Sequence, residues 1–155
     1  MNNSLIVVTP FTYHGQDERG TTAEILLDRQ GKALSIFRKK DTIFGNHYHT
    51  GYQATKNPEI FWLLHGELKF EYRHIESQEW IVVDAVAPVK IDIYPNVIHR
   101  VTAITDAYML ELNSLQEHVM YCIVQKKCQD QILKLYKNLW LEKEEATTIN
   151  LSGLV

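Results

Sequence analysis

Cysteine is nearly missing from this 155-residue chain, with Cys122 and Cys128 the only two. That is too few for a disulfide scaffold, and the pair lacks the repeated short spacing of a zinc ribbon, so both are read as reduced thiols. A long basic run is also missing: 16 Lys and Arg face 19 Asp and Glu, for a formal net charge of −3 and a pI near 6.1. Nucleic acid and anionic membranes require clustered positive charge, so neither is expected as a partner. Near the start the longest apolar stretch, Leu5 to Val8, has four residues and no basic flank. A secretory leader or membrane span needs more, and the expected location is the cytoplasm. What remains is an ordinary globular composition, 45% hydrophobic and 23% charged. A chain of this length can bury roughly 70% of the surface it exposes when unfolded, enough for one core.

Between Thr22 and Asn113 the sequence reads as short β-rich runs separated by turn residues. The candidates are Thr22 to Asp28, Ala33 to Lys39, Ile60 to Leu64, Leu68 to Tyr72, Trp80 to Val83, Val89 to Ile93, Ile98 to Ala103 and Tyr108 to Leu112. Such spacing predicts a sandwich or barrel. The breaks suit turns, because Gly31 and Gly66 supply positive φ and Pro88 and Pro95 stand at strand edges. After Leu115 the period changes: Val124, Cys128, Ile132, Leu135 and Leu139 recur at spacings of 4, 4, 3 and 4. That stripe predicts an amphipathic helix over about Lys127 to Lys143, packed as a cover. We therefore expect residues 1–115 to form the β-barrel and 116–155 a helical extension of the same domain.

The chemistry concentrates in Gly45-Asn-His47-Tyr-His49, then Glu59 with Gly66 after six intervening residues, then Pro95-Asn-Val-Ile-His99. In an extended segment His47 and His49 share a face, so two imidazoles can meet one ion. Glu59 opens the next strand and adds an anionic oxygen, and a barrel can bring His99 beside them. Three imidazoles and a carboxylate suit Zn²⁺ or Fe²⁺, with Mn²⁺ and Ni²⁺ as further possibilities. His14, His65, His74 and His118 are read as surface or hydrogen-bonded residues.

These motifs resemble those of the cupin superfamily, which carries Gly, His-x-His, Glu, six residues and Gly, then a Pro-rich turn leading to His. The resemblance covers roughly Arg19 to Asn113 and implies an all-β, double-stranded β-helix or jelly-roll barrel. Three departures stand out: nine residues, Thr50 to Pro58, separate His49 from Glu59 where the family has three or four, Asn96 stands for Gly, and Ala103 for a closing Asn. The longer loop is expected to reshape the mouth of the barrel. Asp17-Glu-Arg19-Gly20 is similar to the opening signature of dTDP-4-dehydrorhamnose 3,5-epimerase-type enzymes. Gly45-Asn-His-Tyr-His, Thr55-Lys-Asn, and Phe70, Arg73 and Ile75 resemble the cupin domain of capsular-polysaccharide sugar-nucleotide enzymes.

The resemblance implies an epimerase or isomerase acting on a nucleotide-linked keto sugar, with Arg19 and Lys56 as substrate-binding candidates. An arginine beside a glycine suits a diphosphate, since the guanidinium offers a planar fork and glycine admits close backbone approach. Such chemistry needs a base, an electrophile and an acid. Tyr52, Tyr72 and Tyr94 are the candidate proton-moving tyrosines. His47 is either metal ligand or, as in the metal-free epimerases, base; the convergence of His49, Glu59 and His99 favours ligand. An Fe²⁺ cupin dioxygenase and a non-catalytic small-molecule-binding cupin are the alternatives. Exposed sheet edges and the apolar stripe predict a homodimer.

Overall fold

The computed structural model describes residues 5–25, 29, 31–113 and, as backbone only, 123–124. No helix occurs among them. In chain order the strands are β1 (Ile6–Pro10), β2 (Tyr13–Asp17), β3 (Gly20–Ala23), β4 (Leu34–Arg38), β5 (Ile43–Tyr48) and β6 (Glu59–His65). They continue as β7 (Glu67–His74), β8 (Ile81–Val86), β9 (Val89–Ile93), β10 (Val97–Ala103), β11 (Ala107–Glu111) and β12 (Ile123–Val124). The chain falls into two compact units, Met1–Ile123 and Val124–Val155, and β1 to β11 belong to the first. The helix expected over Lys127 to Lys143, like His118, Cys122 and Cys128, lies outside the described residues.

One sheet has the order β1-β9-β6-β11-β4 and the other β12-β5-β10-β7-β8, while β2 and β3 form a hairpin of their own. From β4 to β7 and again from β8 to β11 the chain changes sheet at every connection, so strands that pair are distant in sequence. This is the jelly roll expected from the motifs. Alternation fills its interior: Val89, Ile91 and Ile93 of β9 face inward, as do Val97, His99, Val101 and Ala103 of β10. Leu63, Phe70, Ile91 and Met109 are central to one apolar cluster drawn from both sheets. Each such side chain contributes about 1.5–3 kcal/mol by leaving water. Gly66, with φ +91°, turns β6 into β7, where an added Cβ would collide with the Asp106 carbonyl and lie 2.8 Å from Ala107 Cα.

Four strand readings need correction. Leu5 to Val8, too short for a leader, largely coincides with β1, which pairs with β9 from Ile6↔Ile93 to Pro10↔Val89. Tyr13–Asp17 was not expected as a strand at all, since its polar, fully exposed sequence has no buried face to mark it. Of the run predicted over Thr22 to Asp28, Thr22 and Ala23 are strand, pairing with β2 and not with a barrel sheet, Glu24 and Ile25 are not, and 26–28 lie outside the described residues. Trp80 precedes β8, which extends instead to Val86.

Candidate metal centre

The site begins with a β-bulge. His99 pairs with His47, but Arg100 pairs with Gly45, so Asn46 is an extra residue in β5. Gly45 and Asn46 both have positive φ, +79° and +62°. Glycine adopts this freely and asparagine tolerates it, and the bulge re-aims the following side chain. A Cβ on Gly45 would lie 3.1 Å from the His99 carbonyl oxygen and 3.3 Å from its ring Cδ2, so the bulge lets the His99 imidazole close against β5. His49 follows β5, and its carbonyl accepts a 2.7 Å hydrogen bond from Asn96 N–H, where Asn96 takes the left-handed φ of +62°. The Asn that stands in place of Gly thus keeps the turn.

Glu59 reaches the same point from the opposite sheet, as the first residue of β6, and is 1% exposed. Its Oε2 lies 3.3 Å from His49 Nε2 and 3.6 Å from His99 Nε2. Ring centroids of His47 lie 4.8 Å from His49 and 4.7 Å from His99. One donor atom from each of His47, His49, Glu59 and His99 falls within 4.8 Å of all the others. Ligands at 2.0–2.1 Å around a tetrahedral ion stand about 3.3 Å apart, so the Glu59 distances are those of neighbouring ligands. His99 Nδ1 is 3.1 Å from the Val97 carbonyl. A proton on Nδ1 makes that hydrogen bond and leaves the Nε2 lone pair toward the site.

The electrostatics suit the same use. Burial pushes His47 well below the ordinary imidazole value, with His99 adding to the effect, and burial likewise lowers His99. Both are neutral donors. For Glu59 burial acts upward, but the Lys56 ammonium and His49 outweigh it and hold the carboxyl well below the usual range. Neutral imidazoles beside an ionised carboxylate are the protonation states a divalent metal requires.

Lys56, expected to meet substrate, is 1% exposed inside the protein. Its ammonium bonds to Glu59 Oε1 and, at 2.5 Å, to Glu111 Oε1. Burial alone lowers the Lys56 value, yet the two carboxylates raise it above that of an ordinary lysine. Glu111, which no sequence motif marks, ends β11 and is fully buried, and Asn113 Nδ2 donates to it at 3.1 Å. The available signal was one acid inside the apolar run Tyr108 to Leu112, on the inward face with Met109. Arg29 secures the loop from outside by donating to the Thr55 and Pro58 carbonyls at 2.7 and 2.5 Å.

The three tyrosines separate clearly. Tyr52 is 87% exposed and Tyr94 43%. Tyr72 is 6% exposed and is the cross-strand partner of His99, so both side chains leave the same face of the sheet. Burial raises its pKa and keeps the hydroxyl protonated at neutral pH. Arg19 stands at the tip of the β2–β3 hairpin, 85% exposed, where its Nε donates to Asp17 Oδ2 at 3.1 Å and its backbone N–H to Oδ1 at 2.9 Å. The pairing holds the Asp17 carboxyl below its usual range. Of the histidines set aside, His14 and His65 are exposed and His74 is partly buried near Glu76.

Known proteins place this barrel in context. The sugar 3,4-ketoisomerase QdtA from Thermoanaerobacterium thermosaccharolyticum, solved with TDP, is 18% identical over 89% of this chain and 98% of its own, with a TM-score of 0.60. A 3,4-ketoisomerase from Helicobacter canadensis is 15% identical over 84% and 96%, with a TM-score of 0.56. The dTDP-4-dehydrorhamnose 3,5-epimerase of Bacillus anthracis, solved with TDP and PPi, is 13% identical over 75% and 78%, at 0.54. Identities this low establish a common fold. No curated protein sequence matches the chain. A family model for the polysaccharide biosynthesis C-terminal domain does match residues 15–121, a span that runs from the β2–β3 hairpin through every candidate ligand. The chain is therefore a member of the polysaccharide biosynthesis C-terminal domain family, built on the cupin jelly roll.

Proposed function

We propose that this chain is a sugar-nucleotide epimerase or isomerase, acting on a nucleotide-linked keto sugar with one divalent transition metal held by His47, His49, Glu59 and His99. The observation that carries the reading is the convergence of these four donors, from two sheets, within 4.8 Å in the barrel interior. Family membership and a fold shared with ketoisomerases and epimerases solved with TDP or TDP-sugar support the substrate class. Zn²⁺ and Fe²⁺ lead as occupants, since both accept imidazole and carboxylate donors.

Bound there, the metal supplies Lewis acidity toward a keto oxygen, which acidifies the neighbouring C–H. The protein's own groups do the rest. Glu59 contributes the negative charge of the donor set, and the Val97 carbonyl holds the His99 tautomer. Tyr72 is the best-supported proton carrier, because it stands beside His99 as a protonated hydroxyl while Tyr52 and Tyr94 face solvent. Arg19, on a projecting hairpin, offers its guanidinium to phosphate in exchange for Asp17. A homodimer belongs to the same proposal, and sedimentation at one-chain mass would remove it.

The test combines metal content with proton exchange. Freshly purified protein is expected to carry about one metal per chain, and His47→Ala/His49→Ala to carry none. Metal-loaded protein is expected to introduce solvent deuterium next to the keto group of a 4-keto nucleotide sugar. Metal without exchange across a panel of such sugars would defeat the enzymatic reading; oxygen consumption with iron would favour a dioxygenase.

A further inference from the structure

The second carboxylate, Glu111, is buried beside the site yet is not among the four donors. It meets Lys56, which in turn meets Glu59. Lys56 carries three donor hydrogens, and the chain uses them to join two acids that would otherwise repel each other. The link is directional: Lys56 takes Glu59 Oε1, which leaves Oε2 facing His49 and His99 at 3.3 and 3.6 Å. Asn113 and Lys56 both reach Glu111 Oε1, so the brace is itself held. The loop that delivers Lys56 is closed by a Lys56↔Glu59 β-bridge and by Arg29.

We infer that Lys56, braced by Glu111, is a positioning residue that orients Glu59 as a one-oxygen metal ligand, and that Glu111 offsets the lysine charge so the ligand set stays anionic. Paired with Lys56 alone, Glu59 would be half of a neutral ion pair and a poor donor to a dication. Within this triad, two carboxylates against one ammonium leave a net charge of −1, with Glu59 Oε2 the oxygen that faces the imidazoles. This inference rests on the metal reading proposed above and extends it to two residues that touch no metal.

Co²⁺ is the probe, read by equilibrium affinity and by its visible absorption, which reports ligand number and geometry. Lys56→Met removes the ammonium that joins two buried carboxylates and is expected to destabilise the metal-free fold. Lys56→Met/Glu111→Gln removes that repulsion while keeping the Glu59 charge, so it isolates orientation. The double variant is expected to fold, bind Co²⁺ 10- to 100-fold more weakly, and show an altered spectrum, the usual loss when a ligand's supporting partner is removed. Glu111→Gln, which keeps the Lys56–Glu59 contact, is expected to weaken binding roughly tenfold. Wild-type affinity and spectrum in the double variant would overturn the orienting role, and unchanged affinity in Glu111→Gln would overturn the charge role, also when the double variant is unfolded. Wild-type protein that takes up no Co²⁺ would overturn the metal reading and this inference together.

Discussion

Gly45 tests the geometry of the site independently of any substrate. Its φ of +79° lies in the left-handed region, where an L-residue loses about 1–2 kcal/mol. A methyl there would also sit 3.1 Å from the His99 carbonyl oxygen and 3.3 Å from its Cδ2. The carbonyl belongs to β10 and cannot retreat without disturbing its pairing with β5, so overpacking adds about 1–2 kcal/mol. Gly45→Ala is therefore expected to destabilise the metal-free protein by about 2–4 kcal/mol, a melting decrease on the order of 10 °C for a unit of this size. Gly15 is the control. It lies in β2 without positive φ, and nothing stands within 4 Å of its added Cβ. Gly15→Ala should be neutral or slightly stabilising, by up to about 1 kcal/mol, because alanine narrows the unfolded ensemble. Urea and thermal unfolding of chelator-treated protein measure both. Co²⁺ affinity, taken far below the melting temperature, then reads displacement of the His99 ring separately from stability. Equal stability of the two variants would refute the bulge and with it the close approach of His99 to β5.

Three further outcomes are expected. Tyr72→Phe should keep the fold and lower deuterium exchange by about 10²- to 10⁴-fold, with KM little changed, whereas Tyr52→Phe should be near wild type; full activity in Tyr72→Phe would assign proton transfer elsewhere. Arg19→Ala should leave the melting temperature unaltered, since an exposed ion pair adds little, and should raise KM for the nucleotide sugar more than it lowers kcat. The metal-free protein should lose stability as pH falls below about 6.5: His47 and His99 are held neutral when folded, the unfolded chain binds more protons, and each histidine adds a slope of up to about 1.4 kcal/mol per pH unit until its folded value is reached. A melting temperature that is flat or rises between pH 7.5 and 5.5 would contradict buried neutral imidazoles.

Much of the barrel was legible because alternation and turn chemistry agree along its central strands. Val89, Ile91 and Ile93 alternate with Lys90 and Asp92, and Gly66 stands where the backbone must turn with positive φ. The donors were legible for a different reason: His-x-His, Glu and a distant His are too polar for strand interiors unless something uses them. The β2–β3 hairpin was not legible, since it buries no face and leaves no period. β6, expected over Ile60 to Leu64, is found although it lacks alternation, with Glu59 to Leu63 buried on both faces: Phe61 and Leu63 join the main core, while Ile60 and Trp62 pack with Leu112, Phe11, Leu64 and Leu110. A strand covered on both sides carries no alternation to read.

The extra loop shows where motif reading and physical reading part. Measured against the cupin pattern, Thr50 to Pro58 is an insertion, and an insertion beside a barrel mouth is expected to run over the surface. Its first half does so, with Tyr52 almost fully exposed. Four residues later the chain turns inward, and Lys56 is among the most completely buried side chains of the barrel. A lysine enters such a place only with its charge compensated, and the compensation comes from both directions: Glu59 three residues ahead and Glu111 from β11. The lysine is not tolerable there without at least one acid, and the two acids together are stabilised by the ammonium between them. The loop, β6 and β11 are thus bound in one arrangement by charge, while Glu59 alone of the three also faces the imidazoles. The loop therefore serves the interior as well as the mouth: Tyr52 faces solvent, while Lys56, three residues before Glu59, carries its ammonium inward to the two carboxylates.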